Sequence, residues 1–250
     1  MVRISVPLLF LIETDTHEGR KTTREEKRIS MMKAIIFDMD GVVVNSEPIH
    51  QRSEIEALAG FGLHLETKDL HPYAGTTRLA FQEGIEKQYH FFPDWKAVFQ
   101  HKDQRFFELM EEVEAMPGVL DLIHAIKQEG LLLALATSGQ KRSVDFVLQK
   151  FSLQTVFDTI VCAGDVTQSK PHPEVFLTAA QRLHTDPLTC VVFEDSINGI
   201  RAGKAANMYT IGLTSTFPST AIHEADRIID SFLEIQAHEG IVENIQVRVL

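Results

Sequence analysis

From Leu131 onward the chain alternates short apolar runs of strand length with amphipathic stretches of helix length, and this alternation leaves few folds open. The runs are Leu131–Ala136, Thr159–Ala163, Cys190–Phe193 and Tyr209–Leu213, with a weaker one at Arg227–Ile229; a matching run, Ala34–Phe37, lies far upstream. Several are apolar throughout, which suits central strands of a parallel sheet covered on both faces. Helical patterns at Gly118–Glu129, Lys141–Phe151, Pro173–Leu183 and Ser196–Ala206 separate them, with Pro173 in a first turn, where a helix tolerates proline. The pattern predicts an α/β fold, a doubly wound, Rossmann-like parallel sheet.

One stretch interrupts the alternation. Residues 46–115 carry only helical patterns, as in PIHQRSEIEALAGFG, RLAFQEGIEKQYH and DWKAVFQHKDQRFFELMEEVEA. They read as an all-helical domain inserted between the first and second strands, and Met116-Pro117-Gly118 marks the return. The core domain is then 31–45 plus 116–250. Residues 1–30 are polar after a short VPLLFLI run and lack an apolar periodicity, so they read as an extension outside the fold whose deletion leaves folding and activity unchanged.

With 250 residues, 44% of them hydrophobic, the chain can bury one large core, or a core and a small second domain. Its formal net charge of -11 repels phosphate backbones and anionic lipid, so neither a nucleic-acid nor a membrane partner is expected. A small anionic ligand then needs a local cation, which makes every lysine, arginine or metal site in a pocket informative. No run approaches the roughly 20 apolar residues of a membrane-spanning helix. Cys162 and Cys190 sit in apolar runs without a Cys-x-x-Cys pair; they read as buried reduced thiols, in keeping with a cytoplasmic setting.

Four polar clusters fall at the carboxyl ends of four predicted strands, the edge where open parallel sheets bind ligands. Asp38-Met39-Asp40-Gly41 follows AIIF: one carboxylate can attack phosphorus, and a second can protonate a leaving oxygen and later deprotonate water. Thr137-Ser138-Gly139 offers hydroxyls and backbone N–H groups to an anion at a helix start. Lys170-Pro171-His172-Pro173 holds a lysine beside rigid prolines, with His172 read as a turn residue. Glu194-Asp195-Ser196 pairs acids that suit a hard cation such as magnesium. Taken singly, these are an acidic turn, a helix cap, a solvated lysine and an acidic cap. Taken together, they supply a nucleophile, an acid/base, metal ligands and a phosphate clamp, the parts of a phosphoryl-transfer site.

FDMDGVVVNSEP, ATSG, SKPHPEVF and FEDSINGI resemble, in order, the four motifs of the haloacid dehalogenase superfamily, and PGV at 117–119 and GIRAGKAANM are also similar. The resemblance covers roughly residues 33 to 235. It implies Asp38 as nucleophile and Asp40 as general acid/base. It also implies magnesium held by the Asp38 carboxylate, the Asp40 main-chain carbonyl and Asp195, with Glu194 close by, and the phosphoryl group held by Thr137, the Ser138 amide and Lys170. The insertion at 46–115 resembles the family's helical cap, which closes over substrate and excludes water.

Retention of an acid at Asp40 argues against carbon–halogen and carbon–phosphorus cleavage, because the dehalogenases and phosphonate hydrolases of the family lack it. Similar chains divide into sugar-phosphate phosphatases and β-phosphoglucomutase-like enzymes. His50 matches a cap-hinge histidine of both, and Gly75 and Arg78 match a cap segment that binds a distal phosphate or sugar. The mutase pattern has a lysine where this chain has Ala74 and a tryptophan where it has Glu54, which favours a phosphatase acting on a small phosphorylated metabolite. A mutase is the alternative, with Lys87, Lys96 or Lys102 able to stand in for the missing lysine. A non-catalytic phosphometabolite sensor would fit the loss of Asp38, Asp40, Lys170 or Asp195, and all four are present. The enzyme is expected to be a monomer or a small homo-oligomer.

Overall fold

The computed structural model describes residues 32–73 and 76–235; the proposed extension at 1–30, and Ala74 and Gly75, lie outside the described residues. The chain runs β1 (Ala34–Phe37), β2 (Val44–Asn45), α1 (Glu47–Gly60), α2 (Thr67–Leu70), α3 (Arg78–Tyr89), α4 (Trp95–Leu109), β3 (Glu114–Ala115) and α5 (Val119–Gln128). It continues through β4 (Leu132–Ala136), α6 (Lys141–Lys150), β5 (Thr159–Val161), α7 (Glu174–Arg182), β6 (Cys190–Glu194), α8 (Ile197–Ala205), β7 (Tyr209–Leu213) and β8 (Arg227–Ile229). Six strands form one parallel sheet in the order β5-β4-β1-β6-β7-β8, with Ala34 level with Leu132 on one side and Cys190 on the other. The expected doubly wound α/β sheet is therefore the fold.

Residue alternation decides which face each side chain serves. In β1, Ile35 and Phe37 enter one buried cluster while Ala34 and Ile36 enter the other; in β6, Val191 and Phe193 divide from Cys190 and Val192 in the same way. Helix α5 buries Val119, Leu122, Ile123 and Ile126, a stripe at helical spacing, against the first cluster, and α6 adds Val144, Val147 and Leu148. Helices α7 and α8 cover the opposite face through residues such as Phe176, Ala179 and Ala202. Burying each large apolar side chain is worth roughly 1.5–3 kcal/mol.

Between β2 and β3 lie only helices, which enclose a third apolar cluster of Ala57, Leu58, Leu70, Phe81, Ile85, Trp95 and Val98. The two chain crossings into this helical segment pair as an antiparallel ribbon, Val44 with Ala115 and Asn45 with Glu114, and the Met116 N–H donates to the Val43 carbonyl at 3.0 Å. The all-helical pattern expected through Ala115 stops short of it, and Glu114–Ala115 is a strand. Helix α4 ends at Leu109, a single 3-10 turn follows, and Val113 is extended. Pro117 disfavours helix at Met116, and Gly118 takes φ +80 to start α5, so the chain has to straighten before them. Helix α4 also rests on α6, with Arg142 stacked 3.3 Å over Phe107 and Phe146 edge-on to the same ring.

Candidate active site

The sheet order reverses at β1: the chain moves from β1 through β4 to β5, then returns to β6 on the other side of β1. Ligands of open α/β sheets bind at the crevice such a reversal opens. Asp38 follows β1, Thr137 follows β4, and Glu194 ends β6 with Asp195 next after it, three neighbouring strands spaced by roughly 4.8 Å each. The loop after β5 carries Lys170 to the same place. That strand stops at Val161 rather than Ala163, and a 3-10 turn at Ala163–Asp165 turns the chain toward the site.

Lys170 is the centre of the geometry. Its Nζ donates to Asp38 Oδ1 at 2.6 Å and to Glu194 Oε1 at 2.7 Å, and it lies 4.8 Å from the Phe176 ring centre. Burial alone would lower the Lys170 ammonium, but Asp38 and Glu194 raise it above the ordinary lysine value. The other Glu194 oxygen, Oε2, accepts from the Asp195 and Ser196 N–H groups and from the Ser196 hydroxyl. Glu194 thus positions the lysine and the loop with both oxygens. The expected acidic cap on α8 is in fact Ser196, whose Oγ accepts from the Gly199 N–H, so Asp195 is not needed as a cap.

Burial pushes Asp38 up to about 7, with Glu194 and Asp40 adding to it and Lys170 opposing. Burial likewise raises Asp40, against a hydrogen bond from Ser46 Oγ at 2.7 Å to Asp40 Oδ1, and raises Asp195 well above the ordinary aspartate value with the help of Glu194 and Asp38. One oxygen from each of Asp38, Glu194 and Asp195 falls within 4.8 Å of the others. Three buried carboxylates with Asp40 beside them leave more negative charge than Lys170 balances, and hard oxygen donors in that state suit a divalent cation. The residues therefore fit a divalent cation, with Asp38 and Asp195 less committed to protein donors than Glu194. Gly41, at φ +73, is held to glycine by this packing, because a Cβ there would lie 2.0 Å from Asp195 Oδ2.

Thr137 is buried, and its Oγ1 accepts from the Gly139 N–H at 2.9 Å while its own proton stays available to an anion. Helix α6 starts only at Lys141, with Gln140 as its cap residue, so Thr137-Ser138-Gly139 forms a turn ahead of the helix rather than its first turn. Ser138 is exposed and lines the cavity. That cavity, of about 330 Å³, joins Asp38, Asp40, Thr137, Ser138, Lys170, Glu194 and Asp195 with His50 and Arg78 of the helical segment. Gly75 lies outside the described residues, so the sequence expectation for it is neither placed nor displaced.

The helical wall differs from expectation in detail. Arg78 donates to both oxygens of Asp103, at 2.6 and 2.8 Å, and lies over Phe99. His50 stacks on Phe106 and sits 3.1 Å from Lys102 Nζ; burial and that lysine lower it to about 3, so it is neutral. Burial also lowers Lys102, against the pull of Glu54 and Asp103. Ser46 as the Asp40 partner and Thr216 beside Asp195 were not anticipated, and Glu54 was seen only as a departure from a pattern. Only Ser46 had a local signal, as a hydroxyl just after the Asp-x-Asp-Gly turn.

A parallel sheet with acids, a lysine and a hydroxyl at its carboxyl edge defines the class. The family model described as haloacid dehalogenase-like hydrolase matches residues 35–213, and this chain belongs to that family. It is 36% identical over 181 residues to hexitol phosphatase B of Escherichia coli, covering 71% of this chain and 82% of that one. To the phosphorylated carbohydrates phosphatase of Thermotoga maritima it is 34% identical over 185 residues, 72% and 84% of the two chains. Among solved structures, β-phosphoglucomutase from Clostridium difficile superposes with a TM-score of 0.70 at 26% identity, over 87% of this chain and 99% of that one.

Proposed function

We propose that this chain is a magnesium-dependent phosphatase that hydrolyses a small phosphorylated metabolite, a sugar phosphate or relative, through an aspartyl-phosphate on Asp38. The observation that carries the reading is the opening of Asp38 and Asp40 into one cavity beside Lys170 and Asp195. The names of the two phosphatase relatives support the substrate class.

In this mechanism Lys170 holds Asp38 Oδ1, leaving the other oxygen to attack phosphorus. Thr137, the Ser138 amide and Lys170 bind the phosphoryl oxygens. As the Asp38–phosphorus bond forms, the ester P–O bond breaks and Asp40 gives its proton to the departing alcohol; the raised pKa of Asp40 and its tie to Ser46 suit that role. Asp40, now ionised, takes a proton from water, whose oxygen attacks phosphorus; the Asp38–phosphorus bond breaks and phosphate leaves. Magnesium, held by Asp38, the Asp40 carbonyl and Asp195, would neutralise charge on the phosphoryl group. The helices of 46–115 act as a cap that excludes bulk water. Buried, unpaired Cys162 and Cys190 suit a cytoplasmic enzyme, and no described helix is long and apolar enough to cross a membrane.

A phosphate-release screen over many phosphorylated metabolites, with magnesium present, tests the reading; silence across sugar phosphates and simple monoesters overturns it. The mutase alternative draws support from Lys102, a lysine that lines the cavity. Against it, Arg78 is already engaged by Asp103. Incubation with β-glucose 1-phosphate and a bisphosphate primer separates the two: we expect free phosphate, and faster formation of glucose 6-phosphate would establish the mutase.

A further inference from the structure

The cavity extends past the acids along α1, whose lining face carries His50, then Glu54, then Ala57 and Leu58. Glu54 stands one helical turn beyond His50, about 6 Å along the axis. The wall it shares there is largely apolar, with Phe81, Val98 and Phe99 from α3 and α4. The other polar side chains of that wall already have partners. The Tyr73 hydroxyl donates to Gln88 at 2.6 Å, the Thr76 hydroxyl donates to the Tyr73 carbonyl at 2.7 Å, Arg78 is held by Asp103, and Lys102 contacts His50. Even Glu47, at the start of the helix, accepts from Gln51.

Glu54 is the exception. Among the described residues no donor is bonded to its carboxylate, although the charge of Lys102 attracts it. Burial pushes it up to about 7, as expected of an acid withdrawn from water without a donor of its own. An acceptor held half-buried in an apolar wall has its hydrogen bonds left to be made by whatever fills the cavity.

We propose that Glu54 is a specificity-determining residue that accepts hydrogen bonds from hydroxyl groups at the non-phosphorylated end of the substrate, so that the preferred class is a polyhydroxylated monophosphate such as a sugar or sugar-alcohol phosphate. The proposal rests on the phosphatase reading and narrows it. A substrate whose far end offers no donor leaves the carboxylate desolvated and unpaired, and sites built around a hydroxyl reject such analogues strongly.

The test compares kcat/KM for D-sorbitol 6-phosphate and for p-nitrophenyl phosphate, whose far end carries only acceptors. Wild type should prefer the first. Glu54→Ala should lower the ratio of the two by roughly ten- to hundredfold, chiefly through a raised KM for the polyol phosphate. Glu54→Gln keeps one acceptor oxygen at nearly the same volume and should lose less; it carries the test if the alanine variant does not fold. A ratio that moves by less than about twofold in the folded variant overturns the proposal, a margin well inside the loss expected for one hydrogen bond to a charged group. So does a wild-type enzyme that hydrolyses p-nitrophenyl phosphate but no polyol phosphate, an outcome that leaves the phosphatase reading standing. Hydrolysis of neither, nor of any other monoester, overturns the phosphatase reading and this proposal with it.

Discussion

Asp38 and Lys170 are 132 positions apart in sequence and 2.6 Å apart in space, and that pairing decides what single substitutions do. Asp38→Asn keeps the shape and a hydrogen-bonding partner for the lysine but removes the proposed nucleophile. We expect turnover to fall by roughly a thousandfold or more with the fold retained; residual activity within about tenfold of wild type would rule out the covalent route. Lys170→Met should be costly to structure as well, because it strands Asp38 and Glu194 without their cation. Breaking a buried pair costs about 3–5 kcal/mol, so a denaturant midpoint equal to wild type would contradict this account. The acids were legible in the sequence because each sits at or just past a strand end, and Lys170 because it stands against the Pro171-His172-Pro173 run in the loop after β5. Ser46, Glu54 and Lys102 were far less so. They sit in or beside helices, where a hydroxyl, a glutamate or a lysine is ordinarily a solvated face, and only the packing of α1 against α4 turns that face inward.

At the level of elements, the sheet and its four covering helices were readable to within a residue or two, since apolar runs and amphipathic stripes encode them locally. The β2–β3 ribbon was not. Two-residue strands have no periodicity to detect, and the charged run Glu111-Glu112-Val113-Glu114 continues a helical pattern that only the Pro117-Gly118 corner ends. The ribbon matters because it is where both crossings into the helical segment are tied together. That segment has its own apolar cluster, separate from the two on the faces of the sheet. Ile85→Ala, at a fully buried position of that cluster, should cost about 2–5 kcal/mol locally. Hydrogen exchange should then quicken in α1, α3 and α4 while the amides of β1 and β6 keep their protection. Equal loss of protection in the sheet would show that the two parts unfold as one and would argue against a separate cap.

Across the whole molecule, the balance of charge around the cavity predicts how stability responds to pH and magnesium together. Burial raises Asp38 to about 7, Glu54 to about 7, and Asp40 and Asp195 above their unfolded values. A carboxyl group raised on folding binds more protons in the native state, so its favourable contribution is complete below about pH 4 and is lost as pH rises toward 7. His50 acts in the opposite sense: lowered to about 3, it stays neutral in the native state, and its contribution grows as pH rises toward the ordinary histidine value. Four acids outweigh one histidine, so the chelated protein should lose thermal stability between about pH 5 and 7. Magnesium, bound by the ionised acids, should reverse that trend and raise the melting temperature most at the upper end of the range; at 100 times its Kd a ligand adds about 2.7 kcal/mol. Asp195→Ala removes one proposed ligand and one of the repelling charges. It should therefore be steadier than wild type in chelator at pH 7 yet gain little from magnesium. Melting curves at pH 5, 6 and 7 with and without the ion read all of this at once. A wild-type melting temperature indifferent to magnesium at pH 7 would remove the metal from the site. An Asp195→Ala protein that responds to magnesium as wild type does would move the metal away from Asp195.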